Sequence, residues 1–86
     1  MEVRFYGQVL KYTNGEKSLE PETCADLKSL FEKLGESYGD VFKEYLQGKE
    51  TCFFLVNGTG VRHSGGLDTP LKPGDIIEIL PFVQAG

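Results

Sequence analysis

Metal-binding and cross-linking residues are scarce in this chain of 86 residues. It contains one histidine, two cysteines, four prolines and no tryptophan. Structural zinc sites are built from closely spaced pairs of cysteine or histidine ligands. His63 and the widely separated Cys24 and Cys52 do not supply such pairs, so the sequence predicts no metal centre.

The two cysteines are too few for a disulfide framework, although one cross-link between them is possible on number alone. Six Phe and four Tyr residues offer enough apolar surface for a core without a cross-link. Cys24 lies beside a predicted helix start and Cys52 within a predicted strand, where cysteine usually serves as a small buried apolar residue. We interpret both as buried thiols, and we expect no Cys–His nucleophile with His63.

Long apolar runs and clusters of basic residues are also missing. No segment approaches the roughly 20 apolar residues of a membrane span, and the first residues do not resemble a signal peptide. The formal net charge is −4, from 13 acidic and nine basic residues. Nucleic-acid binding depends on clustered Lys and Arg, so we expect no nucleic acid and no membrane as partner. The expectation is a cytoplasmic protein.

Hydrophobic periodicity predicts an α+β domain in which a mixed sheet of about four or five strands is crossed by one main helix. Leu27, Leu30, Phe31 and Leu34 form the apolar face of that helix, which Gly39 is predicted to end. Asn14-Gly15 and Asn57-Gly58 are turn signals. The predicted elements are a strand at 2–7, a strand at 17–20, a helix capped by Thr23, a short helix at 41–46, and strands at 51–56, 61–63 and 75–80.

The predicted sheet has two apolar faces, which is unusual for a small domain with one main helix. Alternation of side chains assigns residues to the two faces. An uncovered apolar face usually marks a protein partner. Two alternatives stay open: the segment 41–46 covers this second face, or the faces are assigned the wrong way round. The first face holds Val3, Phe5, Phe54, Val56, Ile77 and Ile79, and the second holds Arg4, Tyr6, Phe53, Leu55, Ile76 and Leu80.

The last five residues form a thin tail after Pro81. We expect a folded domain at 1–81 and a flexible tail at 82–86. Such ends are often inert and disordered. A small residue before a final glycine would, however, let the tail enter a narrow channel in another protein, where its carboxylate could react.

Several motifs together resemble one family. Val56-Asn57-Gly58, the segment from Leu67 to Asp75, Ile79-Leu80-Pro81 and a terminal glycine are similar to those of the MoaD/ThiS family of ubiquitin-like (β-grasp) sulfur carriers. The likeness covers nearly the whole chain, and the length is closer to MoaD-type members. The most specific part is 71–86.

The resemblance implies a carrier that is not itself an enzyme and binds no cofactor. A MoeB/ThiF-like adenylating partner would use ATP and Mg²⁺ to activate the C-terminal carboxylate, and a sulfur donor protein would convert it to a thiocarboxylate. In MoaD-type carriers the sulfur then passes to a pterin precursor in a MoaE-like large subunit. The implied sites are Gly86 as the sulfur-bearing residue, Gln84 and Ala85 as the threading tail, and Phe82, Phe53, Leu55, Tyr6 and Leu80 as the partner-binding residues.

Two residues depart from the family pattern. Ala85 stands where members usually have glycine, and Phe82 stands where a second proline is common. Either the cognate enzymes accept Ala-Gly, or the chain is a divergent paralogue, or the natural tail is longer.

Three functions stay open. The first function is sulfur donation in molybdenum cofactor biosynthesis as the small subunit of molybdopterin synthase. The second is sulfur donation in another pathway, such as thiamine thiazole or tungsten cofactor. The third is a ubiquitin-like protein modifier or an interaction domain.

Overall fold

A computed structural model describes residues 1–47, 52–60 and 66–81. The strands form one mixed sheet in the order β2-β1-β5-β3-β4, in which only the central β1–β5 pair is parallel. This is the two-layer α+β architecture that the sequence predicts. The elements are β1 (Glu2–Phe5), a 3₁₀ helix (Gly7–Lys11), β2 (Ser18–Leu19), α1 (Leu27–Tyr38), α2 (Asp40–Gln47), β3 (Cys52–Val56), β4 (Thr59–Gly60), a second 3₁₀ helix (Gly66–Asp68) and β5 (Ile76–Pro81).

The first two strands pair antiparallel, and each is shorter than predicted. β1 ends at Phe5, and a 3₁₀ helix follows from Gly7, whose φ is +58°. Asn14 and Gly15 both have positive φ, which confirms the predicted turn. β2 contains only Ser18 and Leu19, which lie opposite Arg4 and Val3.

Helix α1 begins later than the sequence predicted, because its N-cap is Asp26 and not Thr23. The Asp26 carboxylate accepts a hydrogen bond from the Ser29 backbone N–H at 2.9 Å. This bond lowers the pKa of Asp26, since it stabilises the charged form. Gly39, with φ of +105°, ends the helix as predicted.

Helix α2 packs beside α1 on the same face of the sheet. A β-carbon on Gly35 of α1 would lie 3.1 Å from the Lys43 β-carbon of α2, so a glycine permits this close approach. Phe42 of α2 is fully buried, and its ring centroid lies 6.0 Å from that of Phe5. The alternative in which 41–46 covers the second sheet face is therefore wrong.

The β3–β4 turn is joined to the start of β5 by side chains. Asn57 and Gly58 have φ of +52° and +83°, in agreement with the predicted turn. The Asn57 amide donates to the Asp75 carboxylate at 2.9 Å, and its oxygen accepts from the Ile76 N–H at 2.9 Å. The next strand is Thr59–Gly60. The predicted strand at 61–63 lies outside the described residues, and so does His63.

One core lies between the helices and the first sheet face. The cysteines belong to it, with exposed fractions of 5% for Cys24 and 7% for Cys52, so both are buried as predicted. No helix in the described ranges is long and apolar enough to cross a membrane. The apolar side chains with an exposed fraction of 0% are Val3, Val9, Leu30, Leu34, Phe42, Ile77 and Ile79.

Candidate functional site

The second face of the sheet, here called the open face, carries Glu2, Arg4, Phe53, Leu55, Ile76, Glu78 and Leu80, with Tyr6 directly after β1. Strand register places these residues together. Phe53 lies opposite Leu80, and Leu55 lies opposite Glu78, which also lies beside Arg4. The face assignment made from the sequence is therefore correct.

The two helices lie on the other side of the sheet. The Phe31 ring of α1 lies 4.8 Å, between centroids, from the ring of Phe54, which points to the core face. Phe53, the preceding residue, points to the open face and is only partly buried. Tyr6 is 37% exposed. Among the described elements, neither helix covers the open face.

The β3 side of the open face is apolar, and the β1 side is polar. Phe53, Leu55 and Leu80 form the apolar side and are each partly exposed. On the other side the Arg4 Nε lies 2.9 Å from a Glu2 carboxylate oxygen. The face is thus less apolar than the sequence reading held. Strand alternation also puts Glu2 and Glu78 on this face.

Tyr6 and Glu78 form a short hydrogen bond on the open face. The Tyr6 hydroxyl donates to the Glu78 carboxylate at 2.6 Å, between residues 72 positions apart in the sequence. This hydrogen bond raises the pKa of Tyr6, because it stabilises the protonated phenol. The bond from Arg4 has the opposite effect on Glu2. It stabilises the charged carboxylate and so lowers the pKa of Glu2. The polar side therefore presents oriented donors and acceptors.

The strand that leads to the tail lies in the centre of the sheet. β5 runs from Ile76 to Pro81 and pairs with β1 on one side and β3 on the other. Pro81 is the last residue of the strand, opposite Cys52, whereas the sequence predicted that it would break the strand after Leu80. Because β1 and β5 are parallel, Tyr6 and Gly7 lie at the same end of the sheet as Pro81.

The predicted site residues are thus divided between two places. The structure places Tyr6, Phe53, Leu55 and Leu80 together on the open face, and their binding of a partner stays a prediction. Phe82, Gln84, Ala85 and Gly86 lie outside the described residues.

The described residues offer little material for catalysis. Over 1–47, 52–60 and 66–81, no three His, Cys, Asp or Glu side chains are grouped closely enough to hold a metal ion. Burial raises the pKa of the Cys24 thiol, which makes it a poorer nucleophile at neutral pH.

Comparison with known proteins shows which family and which structures the chain is similar to. The sequence model of the ThiS family matches residues 3–86. A chain of the complex of subunits 1 and 2 of the molybdopterin-converting factor from Helicobacter pylori is 34% identical, with a TM-score of 0.67, over 99% of this chain and 96% of its own. No curated protein matches the chain significantly.

Two further solved structures are similar over almost their whole length. A chain of the BexX/CysO complex from Amycolatopsis orientalis is 30% identical, with a TM-score of 0.82, over 99% of this chain and 98% of its own. The small archaeal modifier protein 1 from Methanosarcina acetivorans is 27% identical, with a TM-score of 0.78, over 99% and 94%. The mixed five-stranded sheet with its two helices is accordingly a β-grasp fold, and the chain belongs to the ThiS family of ubiquitin-like sulfur carrier proteins.

Proposed function

We propose that this protein carries sulfur as a thiocarboxylate on Gly86 and delivers it to a biosynthetic enzyme. The observation that carries the proposal is the family match, which extends from residue 3 through Gly86 and so includes the tail. The open face supports it, because a carrier without catalytic groups must be recognised by the enzymes that load and unload it.

The loading chemistry takes place in two partners. A carboxylate oxygen of Gly86 attacks the α-phosphate of ATP in a MoeB/ThiF-like enzyme with Mg²⁺, and pyrophosphate leaves. The persulfide sulfur of a donor protein then attacks the acyl carbon, and AMP leaves. A second thiol then attacks the donor sulfur of the acyl disulfide, which forms a disulfide between that thiol and the donor and releases the thiocarboxylate on Gly86. ATP and Mg²⁺ belong to the partner in this scheme, and this chain supplies only the carboxylate.

The open face is the surface proposed to dock on these partners. Phe53, Leu55 and Leu80 supply an apolar area of the kind found at the centre of protein interfaces. Tyr6 and Glu78 stand beside it, with Phe82 following at the start of the tail. Gln84 and Ala85 would then lie in the channel that leads to the active site of the partner.

For the recipient of the sulfur, we propose a pterin precursor bound by a MoaE-like large subunit. This is the molybdopterin synthase reaction of molybdenum cofactor biosynthesis. The support is the 34% identity to a chain of the Helicobacter pylori molybdopterin-converting factor, whose two subunits form a complex.

Two other recipients have support of their own. The likeness to a chain of the BexX/CysO complex, which is not named as a molybdopterin-converting factor and has a TM-score of 0.82, favours a recipient other than the pterin precursor. The likeness to the small archaeal modifier protein 1, with a TM-score of 0.78, favours attachment to other proteins. All three functions begin with adenylation of the C-terminal carboxylate, so one experiment can separate them.

The test is to incubate the protein with a MoeB/ThiF-like enzyme, ATP, Mg²⁺ and a persulfide donor, and to measure its intact mass. We expect a gain equal to the mass of sulfur minus that of oxygen. A control chain that lacks Gly86 and a reaction without ATP should show no gain. Adducts with other proteins would indicate a modifier. An unchanged mass with every related enzyme would contradict the carrier function.

Unloading then identifies the recipient. Addition of a MoaE-like subunit and the sulfur-free pterin precursor should return the loaded protein to its starting mass and yield a dithiolene. If the thiocarboxylate persists with these components but is consumed by an enzyme of another sulfur pathway, the molybdopterin role is wrong.

Ala85 provides a separate test of the tail. Its methyl group, in a channel shaped for Gly-Gly, would cost about 1–3 kcal/mol by overpacking. We therefore expect Ala85→Gly to raise loading by an enzyme taken from a Gly-Gly carrier system and to change loading by the cognate enzyme little. Equal loading of both forms by the foreign enzyme would show that the methyl group has no influence.

A further inference from the structure

Gly7 lies against the residue from which the tail departs. A β-carbon placed on Gly7 would lie 2.9 Å from Cγ of Pro81 and 3.4 Å from its Cδ. Non-bonded carbon atoms normally approach to about 3.5–4.0 Å. The 3₁₀ helix that begins at Gly7 therefore packs on the end of β5 through a contact that only glycine permits.

The backbone conformation of Gly7 does not by itself require glycine. Its φ is +58°, close to the +56° of Asn14 and the +52° of Asn57, so this chain places asparagine in the same left-handed region. What distinguishes Gly7 is the neighbouring ring. The other described glycines with positive φ, Gly15, Gly39, Gly58 and Gly74, have no heavy atom within 4 Å of a β-carbon position.

Pro81 has little freedom to yield to a larger neighbour. Its ring restricts its own φ, and it pairs with Cys52 in the ladder between β5 and β3. On the Gly7 side, the Tyr6 backbone N–H donates to the Ile79 oxygen at 3.2 Å, and the Tyr6 hydroxyl donates to Glu78. A β-carbon at position 7 would therefore press on the Pro81 ring, so that the end of β5 or the start of the 3₁₀ helix has to shift.

A displacement there moves the residue from which the tail departs. The five residues after Pro81 can span at most about 17 Å, so the position of Pro81 limits where Gly86 can reach in the active site of a partner. Group transfer is sensitive to such errors, since a misplacement of about 1 Å can lower a rate roughly 100-fold.

We propose that Gly7 is a positioning residue for the tail: by admitting the Pro81 ring, it fixes the place of Pro81, the residue from which the tail departs. This role rests on the proposed function, because it matters for rate only if Gly86 reacts in the active site of a partner. Gly7 touches no reacting atom and acts through Pro81.

The kinetic test compares Gly7→Ala with Gly15→Ala, which introduces a methyl group at a positive φ with open space around it. We expect Gly7→Ala to lower kcat for adenylation by roughly 10- to 100-fold. Its KM should change less than its kcat, because the apolar side chains Phe53, Leu55 and Leu80 of the open face are all retained. Gly15→Ala should keep both constants. Equal kcat values for the two variants would overturn the proposal.

A double-mutant cycle separates contact from general destabilisation. Pro81→Ala removes the ring atoms that the new methyl group would meet, so Gly7→Ala should change kcat much less in that background. An effect of the same size in both backgrounds would contradict the proposal. If Gly7→Ala does not fold, Gly7→Asn replaces it, since asparagine tolerates this φ and still carries the β-carbon.

A measurement on the protein alone keeps this inference distinct from the proposed function. Backbone amide resonances of Phe82 and Val83 should shift in Gly7→Ala and stay in place in Gly15→Ala. Unchanged resonances in Gly7→Ala would overturn the positioning role, whatever the chemistry of the tail. Shifted resonances in a protein that no enzyme loads would support the contact and contradict the sulfur carrier function.

Discussion

Phe53 and Phe54 are neighbours in β3, yet they lie on opposite faces of the sheet. Phe54 packs on Phe31 of α1, with 4.8 Å between ring centroids, whereas Phe53 lies on the open face opposite Leu80. The same contrast separates Ile79, which is fully buried, from the partly exposed Leu80. Residue type therefore does not decide between the core and the open face. The side on which the two helices lie decides it.

The largest expected difference between the faces is in stability. Ile79→Ala should lower the free energy of unfolding by about 2–5 kcal/mol, because it leaves a cavity among fully buried side chains. Leu80→Ala removes a similar group from the open face and should cost less than about 1 kcal/mol. Urea denaturation of the two variants measures both values. Equal losses would show that the open face is part of the core.

The second difference is in partner affinity. Leu80→Asp should weaken binding to the adenylating enzyme by about tenfold or more, since it puts a charge in the apolar side of the open face. The matched control is Val41→Asp, because Val41 is an apolar residue of α2, 68% exposed, in the other layer. Titration calorimetry gives both affinities. If the two variants lose affinity equally, the open face is not the docking surface.

Phe53→Asp extends this test to β3. We expect weaker binding by the folded protein. If Phe53→Asp unfolds the chain, the residue contributes to the core, and its assignment to the docking surface must be given up.

The third and smallest expected difference is between the pKa values of two tyrosines, Tyr6 and Tyr38. A hydrogen bond to Glu78 is the main cause that raises the pKa of Tyr6, whereas burial is the main cause that raises the pKa of Tyr38 to about 12. Glu78→Gln should therefore lower the pKa of Tyr6. Glu16→Gln, which removes the 2.9 Å partner of the Tyr38 hydroxyl, should lower the pKa of Tyr38 only partly. Titration followed by NMR of the tyrosine rings measures both.

The raised pKa of Tyr6 determines how its hydrogen bond to Glu78 affects the stability of the fold at different pH values. The folded state holds the Tyr6 proton more tightly than the unfolded chain does, so this bond stabilises the fold at neutral pH. That contribution is lost as the pH rises through the raised pKa. A Tyr6 pKa that is the same in Glu78→Gln as in the wild type would contradict the hydrogen bond.

The faces could be assigned from the sequence because strand periodicity is a local property. Phe53 and Leu80 follow from alternation alone. The start of α1 could not be chosen in this way, since Thr23 and Asp26 are both good N-cap residues. Long-range contacts select Asp26: the Leu27 N–H donates to the Thr69 oxygen at 3.1 Å, and Asp26 forms an isolated bridge with Pro70.

Contacts between the two ends of the chain also could not be predicted from local sequence patterns. The bond of Tyr6 to Glu78 and the approach of Gly7 to Pro81 each join residues more than 70 positions apart. They exist because β1 and β5 are parallel neighbours, a pairing that a local pattern does not reveal. The chemistry proposed for the tail comes from the family resemblance, whereas the contact between Gly7 and Pro81 comes from the structure.

The most direct test of the central claim is to locate the added mass within the loaded protein. Oxidation of Met1, the only methionine, adds one oxygen and nearly the same mass as exchange of oxygen for sulfur, so intact mass alone is ambiguous. Cleavage after Glu78 releases the peptide 79–86, which contains no methionine. We predict that this peptide carries the gain and that fragmentation places it on Gly86. A gain found only on the peptide that contains Met1, with 79–86 unchanged, would contradict the sulfur carrier function.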